Sequence, residues 1–249
     1  MAAAFLDLPT RPAKPRSSGL THVLDKGLPL RSTRSLLATA GAHIDIWKFG
    51  WGTAYLDPDL KRKIADLVRH QVIPCLGGTL LEVSWLQGRV EACLDWAASQ
   101  GIAMIEVSRG VAPMSLSEKA KLIDLAAERF TVVSEVGSKD PAAVATPDQW
   151  CDEIAGDLAA GAWKVVAEGR ESGTVGLYHP SGAVRTELVS AVVAAVGAEA
   201  MLFEAPRKDQ QAWFINAYGA NVNLANIALD EVVGVEALRL GLRADTVRP

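Results

Sequence analysis

The sequence lacks the features that mark several large protein classes. Its three cysteines, Cys75, Cys93 and Cys151, are an odd number, far apart and without C-x-x-C spacing. That excludes a disulfide framework and a zinc site of that kind, and it fits a reducing cytosol. Basic residues are not in excess: 25 Lys and Arg against 29 Asp and Glu give a formal net charge of −4, with a pI near 5.6. Neither nucleic acid nor an anionic membrane is therefore the expected partner, and an anionic substrate must be met by local cations. No apolar run is long enough to span a bilayer, and no basic start precedes a long apolar core, so no signal peptide is expected. His22, His43, His70 and His179 show neither metal spacing nor a nucleophile partner. A G-x-S-x-G elbow is missing, as is a G-x-G-x-x-G turn after the first strand.

What is present is a regular alternation. The 249 residues, 49% hydrophobic and 22% charged, can bury one large core or two smaller ones. Residues 1–16, with three prolines and three basic residues, read as a loosely ordered arm, and residues 17–249 as a single domain. From Leu20 onward short apolar runs alternate with longer amphipathic ones, the βα pattern. Strands are expected at 20–24, 44–49, 72–76, 103–107, from Thr131, at 163–167, 201–203 and around 221–227. Helices lie between them, stopped by Gly41, Gly101 and Gly161, with Ser117 as the expected cap of the fourth. Eight such pairs in this length is the count of a (β/α)₈ barrel, whose sites lie at the C-terminal ends of the strands.

The stretch Thr131-Val132-Val133-Ser134-Glu135-Val136-Gly137 organises the rest. It is a β-branched strand that breaks at a glycine and carries a carboxylate at its last inward position. Strand parity repeats this arrangement. Met104 and Glu106, Val133 and Glu135, Val166 and Glu168, Leu202 and Glu204 each share a face, so four consecutive strands present a glutamate to the barrel mouth. Such carboxylates repel one another unless cations intervene. Lys26, Lys48, Lys139, Arg170 and Lys208 stand at or just after strand ends, and Lys48 shares the face of Ile44 and Ile46. Carboxylates beside lysines suit an oxygen-ligated divalent cation, most simply Mg²⁺, with Glu106, Glu135, Glu168 and Glu204 as its candidate ligands. The turns Gly50-Trp51-Gly52-Thr53 and Gly77-Gly78-Thr79 offer backbone N–H groups to phosphate or carboxylate oxygens. Arg239, Arg243 and Asp245 follow the last helix and belong to the opposite face, so they are left out of the site.

Taken together, Lys14-Pro15-Arg16, Asp25-Lys26-Gly27, Lys48-Phe49-Gly50-Trp51-Gly52-Thr53, Gly77-Gly78-Thr79-Leu80 and Ser134-Glu135-Val136-Gly137 with Lys139-Asp140-Pro141 resemble the phosphosulfolactate synthase family. So do Arg170-Glu171-Ser172-Gly173, Phe203-Glu204-Ala205-Pro206, Asn221-Val222-Asn223-Leu224 and the segment Leu238 to Arg243. The likeness spans nearly the whole chain in order. It implies a (β/α)₈ barrel that adds sulfite to phosphoenolpyruvate with Mg²⁺, on the way to coenzyme M or sulfolactate. A cytoplasmic homo-oligomer is expected. The sequence departs from the family at Arg109, where aspartate is expected, at Ser138, often lysine, and at Ala225, often glycine.

With that reaction in view, the chemistry and placement of particular residues suggest their roles. Lys139, Lys48 and Glu135 are the candidate catalytic residues, with Lys139 as the donor of a proton to C2. Arg170, Lys26, Gly77, Gly78, Thr79 and Asn223 are the candidate substrate-binding residues. Two further readings stay open at this point. One is an enzyme acting on another phosphorylated three-carbon acid, suggested by the added cation at Arg109. The other is a stress-associated binding protein that keeps the barrel and has lost the chemistry.

Overall fold

The computed structural model of the chain describes residues 5–137 and 145–247. Eight parallel strands close into a barrel, each paired with the next in sequence and the last with the first. They are β1 Thr21–Asp25, β2 Ile46–Phe49, β3 Ile73–Leu76, β4 Met104–Val107, β5 Thr131–Val136, β6 Lys164–Ala167, β7 Met201–Glu204 and β8 Leu224–Ile227. Around them lie the helices α1 Leu30–Ala40, α2 Thr53–Leu56, α3 Leu60–Arg69, α4 Gly78–Leu86, α5 Val90–Gln100 and α6 Leu116–Ala127. The ring is completed by α7 Pro147–Ala159, α8 Thr186–Val196, α9 Lys208–Tyr218 and α10 Val232–Arg239. Among the described residues no helix is long and apolar enough to cross a membrane.

Parity decides what fills the barrel. Leu20, Ile46, Cys75, Met104, Val133, Val166, Leu202 and Ala225 pack on one another inside it. The outward residues of the same strands, such as Trp47, Ile105, Val132, Val165 and Phe203, join the core beneath the helices. Two places after Ile46, Met104, Val133, Val166 and Leu202 come Lys48, Glu106, Glu135, Glu168 and Glu204, all buried, which form the next inward layer. One step of the chain thus places apolar residues in the middle and charged ones at the mouth.

Local chemistry sets the helix ends. Ser115, not Ser117, caps α6, through a reciprocal capping box with Glu118, and Thr146 with Gln149 does the same for α7. Gly101, at φ +89°, ends α5 in a conformation that a side chain resists. Helix α4 stands where a turn alone is expected. Its first turn packs so closely on β2 that a Cβ on Gly77 would lie 2.7 Å from the Phe49 carbonyl oxygen.

The described part of the N-terminal arm is tied down, which corrects the expectation of a loose segment. Arg16 reaches both oxygens of Asp45 at 3.0 and 3.1 Å, and Arg11 reaches Glu236 at 3.0 Å. Lys14 donates to the carbonyls of Gly41 and His70 at 2.8 and 3.1 Å. These bonds lash the arm across the end of the barrel opposite the glutamates.

Candidate active site

The glutamates from four strands meet in one cavity of about 440 Å³ at the C-terminal end of the barrel. Glu106, Glu135, Glu168 and Glu204 line it together with Lys48, Arg170, Gly77, Gly78 and Thr79. Lys48 is the centre of its floor. Its Nζ donates to Glu106 Oε2 at 2.9 Å and to Glu204 Oε1 at 3.5 Å. Burial works to lower its pKa, but Glu106, Glu204 and Glu135 outweigh that and hold it well above the usual lysine value. Glu204 is pushed up by burial and by Glu135 against the pull of Lys48.

Backbone donors fix the carboxylates. Gly78 N–H, the first residue of α4, donates to Glu106 Oε1 at 3.0 Å, and Gly169 N–H donates to Glu204 Oε2 at 2.8 Å. Arg170 N–H donates to Glu168 Oε1 at 2.6 Å, which bends the chain so that Arg170 sits at φ +54°. Its side chain is exposed at the rim of the cavity, and among the described residues the guanidinium makes no hydrogen bond or ion pair.

Asn226 is a site residue that strand parity alone does not point to. The register between β1 and β8 slips at this point, with Thr21 opposite Leu224 but Val23 opposite Ile227. The extra residue, Asn226, takes φ +52° and turns into the cavity, as a bulge re-aims a side chain. Its Nδ2 donates to Glu204 Oε1, and its N–H donates to His22 Nδ1 at 3.3 Å. His22 lies inside the barrel, and burial first and Lys48 second hold its pKa well below the usual histidine value. It is a neutral packing residue.

Comparison with known proteins now decides the family. The sequence pattern described as (2R)-phospho-3-sulfolactate synthase (ComA) matches residues 9–245. A phosphosulfolactate synthase of Bacillus subtilis (strain 168) is 42% identical over 244 residues, which cover 97% of each chain. The chain belongs to the phosphosulfolactate synthase family. A second phosphosulfolactate synthase, from Methanothermobacter thermautotrophicus, is 39% identical over 245 residues, 96% of this chain and 95% of its own. Among solved structures, 3-hexulose-6-phosphate synthase from Salmonella typhimurium superposes with a TM-score of 0.54 at 10% identity, covering 91% of this chain and 92% of its own. That likeness is one of fold alone.

Several residues singled out in the sequence stand elsewhere. Asn223 immediately precedes β8, at the opposite end of the barrel from the cavity. Its carboxamide donates to the carbonyls of Met201 and Glu199 at 2.9 and 3.2 Å and accepts from Leu20 N–H at 3.1 Å. These bonds tie together the segments that lead into β1 and β7, so it is corrected from a substrate-binding to a structural residue. Lys26 lies on the rim and not on the cavity wall, paired with Glu171 at 3.1 Å and 5.7 Å above the Trp51 ring. Arg109 turns away from the cavity to grip both oxygens of Glu153 on α7, at 3.0 and 2.8 Å. The cation that departs from the family is therefore spent on a helix, and the reading of an altered substrate charge loses its basis. Lys139 lies outside the described residues.

Both oxygens of Glu106 and both of Glu204 accept hydrogen bonds from Lys48, Asn226 or backbone N–H groups. Among the described residues no group of three or more His, Cys, Asp or Glu is placed to hold a metal ion. The chemistry of the set still fits Mg²⁺. Glu135 and Glu168, on adjacent strands, are hard oxygen donors, and Mg²⁺ is commonly held by one or two carboxylates with water and substrate oxygens completing its shell.

Proposed function

We propose that the mouth of this barrel adds sulfite to phosphoenolpyruvate, giving (2R)-phospho-3-sulfolactate, a carbon–sulfur lyase reaction run in the synthetic direction. The observation that supports this most is a buried Lys48 whose ammonium lies between Glu106 and Glu204, in a chain of this family. The sulfite sulfur attacks C3, and the C2–C3 π pair moves onto the carboxylate as an enediolate. C2 then takes a proton, and the phosphoryl group stays in place. Lys48 answers the negative charge that builds on the carboxylate. Being held firmly as an ammonium, it suits preorganised charge stabilisation better than proton donation.

Among the described residues five carboxylates line the cavity, counting Glu171, against the two cations Lys48 and Arg170. A trianionic substrate entering such a site calls for added positive charge, which Mg²⁺ held by Glu135 and Glu168 would supply. Arg170 takes the phosphate or the sulfonate through its fixed fork of donors. The N–H of Thr79 in the first turn of α4 is a further donor at the cavity wall, that of Gly78 being held by Glu106. The proton for C2 we assign to Lys139 on the sequence argument. The three cysteines are free, which accords with work in a reducing cytoplasm.

The test is direct. Purified protein is mixed with phosphoenolpyruvate, sulfite and Mg²⁺ and followed by ³¹P NMR. Growth of a phosphosulfolactate resonance supports the proposal, and its absence at saturating concentrations of all three removes it.

A further inference from the structure

Behind β5, outside the cavity, lies a buried ionic chain that the reaction itself does not use. Lys119 of α6 is fully buried, and its ammonium makes three contacts. It reaches Glu153 at 2.8 Å and Asp157 at 2.6 Å, both on α7, and the backbone carbonyl of Glu135 at 2.8 Å. Arg109 closes the chain by holding Glu153 from the β4 side. Burial pushes the Asp157 carboxyl up, whereas Arg109 and Lys119 together outweigh burial at Glu153 and hold it down.

The third contact is explained by where the sheet stops. Thr131 N–H bonds to the carbonyl of Ala103, just before β4, whereas the carbonyls of Val132 and Val136 accept from the β6 side, from Trp163 and Glu168. Backbone groups alternate sides along a strand, so the carbonyl of Glu135, two pairs of steps after Thr131, faces β4. The β4–β5 pairing ends at Val107 opposite Ser134. In a continuing sheet the Glu135 carbonyl would take the N–H of residue 109, but the chain has already turned off there. Lys119 supplies the missing donor.

We infer that Lys119 is a positioning residue for the Glu135 carboxylate. By capping the carbonyl of that residue, its ammonium holds the Glu135 backbone in strand geometry beyond the point where its neighbour strand ends. That keeps the side chain aimed into the mouth. An outer partner of this kind commonly changes metal affinity or activity by 10- to 100-fold when removed. The inference rests on Glu135 serving as a divalent-cation donor in the proposed function.

The experiment separates positioning from simple stability. Lys119→Met alone strands the buried Asp157 carboxylate, leaves Glu153 to Arg109, and lowers the melting temperature. The triple variant Lys119→Met, Glu153→Met, Asp157→Leu replaces the network with side chains that carry neither charge nor donor, so most of that loss is recovered while the Glu135 carbonyl still has no donor. Mn²⁺ affinity, read by electron paramagnetic resonance, should then fall about tenfold, and amide exchange at Glu135 and Gly137 should quicken. Arg109→Ala is the companion that folds readily, since its side chain is partly exposed and, among the described residues, its hydrogen bonds go to Glu153. It should leave Mn²⁺ affinity within about twofold. A triple variant with recovered stability, unchanged Mn²⁺ affinity and unchanged exchange would overturn the inference. So would an Arg109→Ala variant that lost as much affinity as the triple one, because the network charge and not the carbonyl contact would then be responsible. Should the wild type make no phosphosulfolactate while the Mn²⁺ and exchange responses appear, the positioning role would stand and the reaction would fall.

Discussion

Lys48 and Glu204 face each other across the barrel floor at 3.5 Å, with Glu106 closer to the lysine at 2.9 Å. One ammonium thus serves two buried carboxylates drawn from β4 and β7. Replacing Lys48 by Met leaves both without their cation, a loss on the order of 3–5 kcal/mol for a broken buried pair. Urea unfolding should show it. Adding Glu204→Gln to that variant should return part of the stability and none of the turnover, whereas full recovery of turnover would remove Lys48 from the chemistry.

Asn226 offers a cleaner separation of backbone from side chain. It holds φ +52° and donates to Glu204, so Asn226→Ala suffers both a strained backbone and a lost donor. Asn226→Gly keeps the conformation and loses only the donor. The glycine variant should be the more stable of the two by about 1 kcal/mol, with both equally poor in turnover. Equal stability would mean that the bulge carries no strain.

The rim pair Lys26–Glu171 is about half exposed on each side. Such pairs contribute only about 0.2–1 kcal/mol, so Glu171→Gln should leave the melting temperature nearly unchanged. It should, however, lower the Michaelis constant for phosphoenolpyruvate, since a competing carboxylate is gone from the entrance. A raised constant would show Glu171 to be a substrate contact.

The N-terminal arm carries a pH signature. Burial lowers the pKa of Lys14 to about 8, from an ordinary 10.5, with Asp45 opposing and Arg16 assisting. Between those two values the unfolded chain binds more protons at this site than the folded one, so the site's contribution makes stability rise with pH across that window. Lys14→Met should flatten that rise. Chemical unfolding at pH 7.5, 9 and 10.5 measures it, and an unchanged slope in the variant would contradict the assignment.

Much of this is legible in the sequence because barrel strands alternate. The step of two from Met104 to Glu106 and from Val133 to Glu135 predicts four glutamates at one end, and all four line one cavity. Asn223 misleads because β8 begins one residue later, at Leu224, which leaves it below the strand. Asn226 is hidden by a register slip that no local pattern announces. Lys119 does leave a signal. Lys119, Leu122, Ile123 and Ala126 recur at helical spacing and form one buried stripe, as do Trp150, Glu153, Ile154 and Asp157 on the facing helix. A lysine in one such stripe and two acids in the next are the sequence mark of a buried ionic contact.

Sulfite joining C3 and a single proton reaching C2 are the two events on which the proposed chemistry stands. Running the reaction with phosphoenolpyruvate, sulfite and Mg²⁺ in deuterium oxide, with wild type and Glu135→Gln side by side, tests both by NMR of the product. The wild type should give phosphosulfolactate with a single deuteron at C2, in one stereoisomer. The variant should be slower by about a hundredfold or more. Deuterium at C3, a mixture of C2 isomers, or equal turnover in Glu135→Gln would contradict that chemistry.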